Sequence, residues 1–372
     1  MRLYVASVAC AFALTASAAS GQSTTAQLAV AGWQAIEAND ADKAASLFRD
    51  ALSRQPRDAE LLYGSGVAAH LQGRDADALR LLQKSLEIAP RLTGASELLG
   101  EIAYREGELD LAIKTYEKAI ELAPRSAAWL RSRLEAWRSE ASVHSSFSTV
   151  KDDRFSVMFD GPVEQKLAIR ATTVLRNAFW NIGKAIGAYP NHPINVILYS
   201  DKQFHDVTGA PEWADGGFDG QIRLPVRGAL ATPQLLDRVL VHELVHAMVT
   251  QVAPRNVPVW LHEGLAMHFE GDDAAAMGQT LTRLRVFIPL VQLQYSFEGL
   301  TTAQATIAYA ESLFATSVLL ERIGPSGLGQ LLQDLDRGER FEDAVQRFGF
   351  TFGEFEKDVV RRIGKRPASS RN

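Results

Sequence analysis

The sequence predicts two folds in series, an all-α repeat solenoid followed by an α+β domain, and three observations carry that expectation. Small and apolar residues recur three times at a spacing of 34 in the first third of the chain. Short alternating apolar runs, one helical pattern between them, occupy the middle. The second half holds two histidines four residues apart on a helix with well-marked ends. At 372 residues the chain is long enough to bury two cores.

The first segment belongs to neither fold. Arg2 precedes an apolar run from Leu3 to Leu14, and Ala16-Ser17-Ala18 follows with small residues. This layout predicts an export signal over residues 1–20, cleaved near Ala18 or Ser20, and the run is too short to span a bilayer comfortably. An uncleaved anchor is the alternative; after cleavage no integral membrane span is expected. The single cysteine, Cys10, lies inside this segment, and Ser7 stands where a lipoprotein signal wants an apolar residue. A mature chain without cysteine has no disulfide or thiolate chemistry, which agrees with a periplasmic or secreted location.

The solenoid is expected over residues 25–141. Gly32, Gly66 and Gly100 share one phase of the 34-residue period; Ala44, Ala78 and Ala112 share a second; Pro56, Pro90 and Pro124 a third; Phe48, Leu82 and Tyr116 a fourth. Unrelated helices would not keep that register. The pattern resembles the tetratricopeptide repeat, a helix pair with small residues at the crossing and Pro at the repeat end. Each pair buries its apolar face only by stacking on the next. Trp129, Leu130, Arg133, Leu134 and Trp137 predict a capping helix whose aromatics seal the last repeat. The groove of such a solenoid would suit a protein partner or substrate, or the repeats could dock as a scaffold.

Ser142 to Asp153 is rich in Ser and charge without apolar periodicity, which predicts a linker over residues 142–153. The second domain is then expected over 154–365, with a flexible tail at 366–372. Within it the pattern predicts a strand near Phe155 to Phe159, a helix from Val163 to about Ile186 and a strand from Ile194 to Tyr199. A loop carrying Trp213, Gly216, Gly217 and Phe218 follows. Gly220 to Val226 alternates like a half-buried strand, and Pro225, which cannot donate to a ladder, assigns it to a sheet edge. Such an edge could hold an extended peptide. The remainder reads as helical.

Thr232 as N-cap, Pro233 at the first position and Pro254 past the end predict a helix between them. On it Leu235, Val239, His242, His246 and Val249 fall on one stripe. His242-Glu243-Leu244-Val245-His246 is an HExxH motif, in which two imidazoles four residues apart can share one Zn²⁺. Glu243, one step round, stands where a general base could take a proton from a metal-bound water whose pKa is lowered to about 7. A catalytic zinc needs a third protein ligand. Glu263, seventeen residues after His246, could supply it from the next helix, and Gly264 would let the two helices approach closely. His262 competes for that role. Adjacent side chains on a helix diverge by about 100°, so only one of the two can face the metal.

These two segments resemble the gluzincin metallopeptidases, in which HExxH is followed one helix later by a ligand Glu. Trp260 to Ala266 resembles the WxxEGxA segment of the aminopeptidase-like branch and of bacterial peptidase MA-like domains. The resemblance implies a zincin-like fold, one zinc per chain, His242, His246 and Glu263 as ligands, and Glu243 as base. It also favours Tyr309, on a later helix, as donor to the oxyanion. The departures limit what carries over. There is no GxMEN segment, so exopeptidase action is not implied. Met267 replaces the Asp of the thermolysin-like branch, and Val249 and Val252 replace the Gly and His of metzincins. His268 reads as a surface or packing residue.

With 39 Lys and Arg against 44 Asp and Glu the net charge is −5, and no sizeable basic patch invites nucleic acid. The expectation is an exported zinc metallopeptidase acting on a peptide or protein, with repeats that recruit a partner or substrate. The alternative is a non-cleaving scaffold that binds zinc.

Overall fold

The computed structural model describes residues 20–190, 192–209, 216–226, 232–284, 286–324 and 326–364. The export signal lies outside them apart from Ser20, as do Trp213 and the tail. The chain forms two compact units, Met1–Ala89 and Pro90–Asn372.

The first unit is two helix pairs: α1 (Ser20–Glu37) with α2 (Ala41–Arg54), and α3 (Ala59–Leu71) with α4 (Asp75–Ile88). Asp40 and Asp58 cap α2 and α3 by accepting backbone N–H groups. The period of 34 has a steric cause. Phe48 of α2 fills the space over Gly32, where a Cβ would sit 2.8 Å from its ring, and Leu82 of α4 does the same over Gly66 at 2.9 Å. A large residue on the second helix is seated on a bare backbone of the first.

The second unit begins with the third pair, α5 (Thr93–Arg105) and α6 (Leu109–Leu122), where Tyr116 covers Gly100. The capping helix starts later than expected and runs further. A 3₁₀ turn at Ala128–Leu130 precedes α7 (Arg131–His144). Trp137 alone seals the repeat, 5.1 Å from the Tyr104 ring and 4.5 Å from that of Tyr116. Trp129 is exposed, its indole N–H donating to the Ser126 carbonyl.

No linker follows. The chain passes from α7 into strand β1 (Phe147–Lys151), which pairs antiparallel with β2 (Phe155–Asp160) from Phe147↔Asp160 to Lys151↔Ser156. Its two apolar residues, Phe147 and Val150, are three apart and so lie on opposite faces, which is why no strand period shows in the sequence. Helix α8 (Gly161–Ile186) crosses to β3 (Ile194–Tyr199), parallel to β2. After α9 (Asp201–Thr208) come β4 (Gly217–Phe218) and β5 (Ile222–Pro225). Among the described residues the sheet runs β1-β2-β3-β5-β4, with β5 parallel to β3 and β4 antiparallel to β5.

The segment expected at the edge is therefore interior, and β4 is the edge. Pro225 is tolerated because β4 reaches only Ile222 and Arg223 and makes no ladder opposite it. Phe155, Val157, Val196, Leu198, Ile222 and Leu224 face α8 and helix α10 (Pro233–Val252). Ile197 and Tyr199 face the other way, where Phe204, Phe147 and Val143 pack on them. Arg223, 3% exposed on that second face, pairs with Glu140 of α7 at 2.5 Å. Removing one partner of such a buried pair costs about 3–5 kcal/mol.

The remaining helices are α11 (Val259–Glu270), α12 (Ala274–Leu284), α13 (Thr302–Ile323), α14 (Gly327–Asp336), α15 (Phe341–Ala344) and α16 (Phe352–Gly364). Trp260 of α11 stacks on Phe355 of α16 and meets Phe341 edge-on. On α13, Glu311 is fully buried and accepts the Ile288 amide on both carboxylate oxygens, at 2.9 and 3.0 Å. Burial, against that hydrogen bond and with Glu356 nearby, pushes its carboxyl up to about 8.

Candidate metal centre

Helix α10 carries the motif, and its two faces divide as a site requires. Leu236, Leu240, Leu244 and Met248 are buried in the core with the sheet, while His242 and His246 remain partly exposed. Leu235, expected on the buried stripe, is 58% exposed. Thr232 holds the N-cap position and Pro233 the first helical position, as expected. The helix stops at Val252, ahead of Pro254.

Helix α11 folds back against α10 and brings Glu263 to the two imidazoles. Glu263 Oε2 lies 3.6 Å from His242 Nε2 and 3.6 Å from His246 Nε2. One ligand atom from each of the three residues falls within 4.8 Å of the others, the only such His/Cys/Asp/Glu group among the described residues. A tetrahedral zinc with bonds of about 2.1 Å needs donors about 3.4 Å apart, so this donor set fits the ion in both spacing and chemistry.

The outer nitrogen of each histidine is engaged. His242 Nδ1 meets Glu270 Oε2 at 2.9 Å, and Glu270 is itself held by Arg238 at 2.8 Å, which also reaches Asp272 at 2.5 Å. His246 Nδ1 faces His262 Nδ1 at 3.4 Å. His262 thus stands behind His246, while its neighbour Glu263 faces the Nε2 atoms. Glu270 escaped the sequence reading, and His262, weighed there as a ligand, was not read as the partner of His246. Glu270 was findable: it lies two helical turns after Glu263 on the same face of α11, where the thermolysin-like branch uses one turn.

Charge is concentrated on this cluster. Burial would lower the pKa of His242, but the carboxylates of Glu263 and Glu270 and the charge of Glu243 raise it to about 10. Burial would raise Glu263, yet the two histidines hold it well below the usual carboxylate range. The negative field that favours a proton on His242 also favours a divalent cation among the Nε2 atoms. Glu243 is 7% exposed and, with burial outweighing the two histidines, its carboxyl is raised, the direction wanted for a proton carrier.

Tyr309 on α13 lies edge-on to Phe297 at 5.3 Å, with part of its ring exposed. Burial, then the charges of Glu263 and Glu243, push its phenol up to about 12, which keeps it a donor. Gly264 serves another contact than the one expected. A Cβ there would fall 2.0 Å from Thr316 Oγ1 and 2.3 Å from the Ser312 carbonyl, so the close approach is between α11 and α13 and not between α10 and α11. His268 is exposed on the far side of α11. A Glu270→Gln protein is expected to bind zinc about 10–100-fold more weakly with its fold intact, as a competition titration with a chelator would read. Unchanged affinity would remove Glu270 from the site.

An HExxH helix packed against a mixed sheet, with a glutamate-bearing helix folded back on it, defines a peptidase-type hydrolase domain. Residues 174–363, just over half the chain, match the Peptidase MA superfamily, and the chain belongs to that superfamily. Tetratricopeptide repeat models match residues 30–92 and 95–126, which assigns protein interaction to the N-terminal helices. Among curated proteins none matches the chain.

Proposed function

We propose that the protein is an exported zinc-dependent peptidase whose repeats recruit a partner or protein substrate. The observation that carries the reading is the convergence of His242, His246 and Glu263 with Glu243 beside them. His242, His246 and Glu263 would hold one zinc ion per chain. When bound, the metal supplies Lewis acidity to a scissile carbonyl and lowers the pKa of water. Glu243 takes the proton of the attacking water on its carboxylate and delivers it to the departing amine nitrogen. Tyr309 donates its phenolic hydrogen to the developing oxyanion.

The substrate backbone lies along β4. Among the described residues β4 has no strand on its outer side, and Gly216 just before it lies against Val239, one turn ahead of His242 on the same stripe. Export rests on Arg2, the Leu3–Leu14 run and Ala16-Ser17-Ala18. No helix of the described residues is long and apolar enough to cross a membrane.

The test is metal analysis of the purified full chain together with cleavage of a peptide library. About one zinc per chain is expected, lost in His242→Ala and in His246→Ala, with cleavage abolished by a chelator. Stoichiometric zinc in both variants would overturn the site. Zinc without any cleavage would favour the scaffold reading.

A further inference from the structure

We propose, resting on the peptidase reading of the site, that the third helical repeat positions the substrate-binding edge of the sheet, with Tyr104 as its positioning residue. The end of α5 and the face of α7 hold the β4–β5 hairpin at its turn and at the start of β5. Gln221, 5% exposed, donates from Nε2 to the Tyr104 carbonyl at 3.0 Å. Gly220, at φ +109°, lies so close to α5 that a Cβ would come 2.7 Å from the Arg105 carbonyl oxygen. Arg223 donates from Nη2 to the Tyr104 hydroxyl at 2.9 Å and from Nη1 to Glu140 at 2.5 Å. The Tyr104 hydroxyl in turn donates to the other Glu140 oxygen at 2.8 Å.

The hairpin depends on this anchorage. β4 has two residues, and they pair only with Ile222 and Arg223. A ladder that short does not hold a strand in place, since even a complete isolated hairpin is marginal in water. Arg223 is one of the two pairing residues and is itself fastened to the repeat. The other end of β4 adjoins Gly216, packed on Val239 of α10. A continuous line of packed groups therefore runs from a helix of the repeat, through Arg223 and β4, to the helix that carries His242 and His246. A protein bound on the third repeat would act on the same hairpin.

Two variants of the full, metal-loaded chain test this. Tyr104→Phe removes only the hydroxyl and keeps the stack on Trp137, and Gln221→Ala removes the second tie. In both, amide hydrogen exchange across residues 217–223 is expected to quicken by roughly tenfold or more, with the α10 amides unchanged. KM for a library-derived peptide should rise about 5–10-fold with kcat within about twofold and metal content unaltered, the signature of lost uniform binding. Unchanged exchange in that segment would overturn the proposal, and so would a lowered Tm with unchanged KM, which marks a purely structural tie. If the wild-type chain cleaves no peptide, the peptidase reading fails, and the exchange measurement still decides whether the repeat positions the hairpin.

Discussion

Glu243→Gln is expected to retain the fold and about one zinc per chain while hydrolysis falls by about 10²–10⁴-fold, the usual contribution of a positioned acid–base group. The substitution is nearly isosteric, and Glu243 sits inside α10 between the two histidines with little exposed surface. What the amide lacks is the capacity to accept and return a proton. Glu263→Ala should behave oppositely and lose the metal, because two imidazoles do not hold a catalytic zinc tightly. His262→Ala should keep it, since His262 meets His246 through Nδ1 and not through the nitrogen that faces Glu263. Metal analysis beside steady-state rates separates the cases. Zinc lost from His262→Ala but retained by Glu263→Ala would reverse the ligand assignment.

A chain beginning at Lys151 is expected not to fold, whereas one beginning at Pro90 should melt cooperatively and bind zinc. The stretch around Lys151 reads in the sequence as a linker between two separable domains. In the structure that cut removes nearly all of β1, the packing of Val143 and Phe147 on Ile197 and Tyr199, and the carboxylate that pairs with Arg223. With α5 and α7 gone Arg223 is opened to water, and the apolar face formed by Ile197, Tyr199 and Phe204 loses the cover of Val143 and Phe147. Exposing a large apolar side chain costs about 1.5–3 kcal/mol, so baring this face takes a large share of the roughly 5–15 kcal/mol that stabilises a typical domain. The Pro90 start preserves every one of these contacts within one compact unit. Circular dichroism melts of the two truncated chains decide it, and a cooperative, zinc-dependent melt from the Lys151 chain would refute the expectation.

What could be read from residues alone was whatever repeats or recurs at short range. The 34-residue period reports a local fit, one bulky side chain over one glycine, so three copies made it visible. HExxH and the helix that carries it are legible for the same reason: both histidines and both helix ends lie within one short segment. Glu263 on the next helix was reachable from ligand chemistry and a family resemblance. The misreadings concern partners that are distant or featureless. β1 shows no alternation because it uses backbone pairing at a sheet edge. Arg223 in an alternating run looks like a solvent-facing charge, since nothing nearby announces Tyr104 and Glu140. Pro225 suggested an edge, but the true edge is a two-residue strand with no pattern of its own.

The Arg223 junction also orders events in time. Tyr104 and Glu140 precede their partner by 119 and 83 residues, so on the ribosome the third repeat can stack before β5 has been synthesised. Until then Glu140, on α7, has the Tyr104 hydroxyl on one oxygen and no guanidinium on the other. Contacts of such long sequence separation close late because the intervening chain must first surrender its freedom. The closing step takes the Arg223 guanidinium out of water against Tyr104 and Glu140, and with it the nascent helices cease to be an independent module and become a wall of the peptidase-like domain.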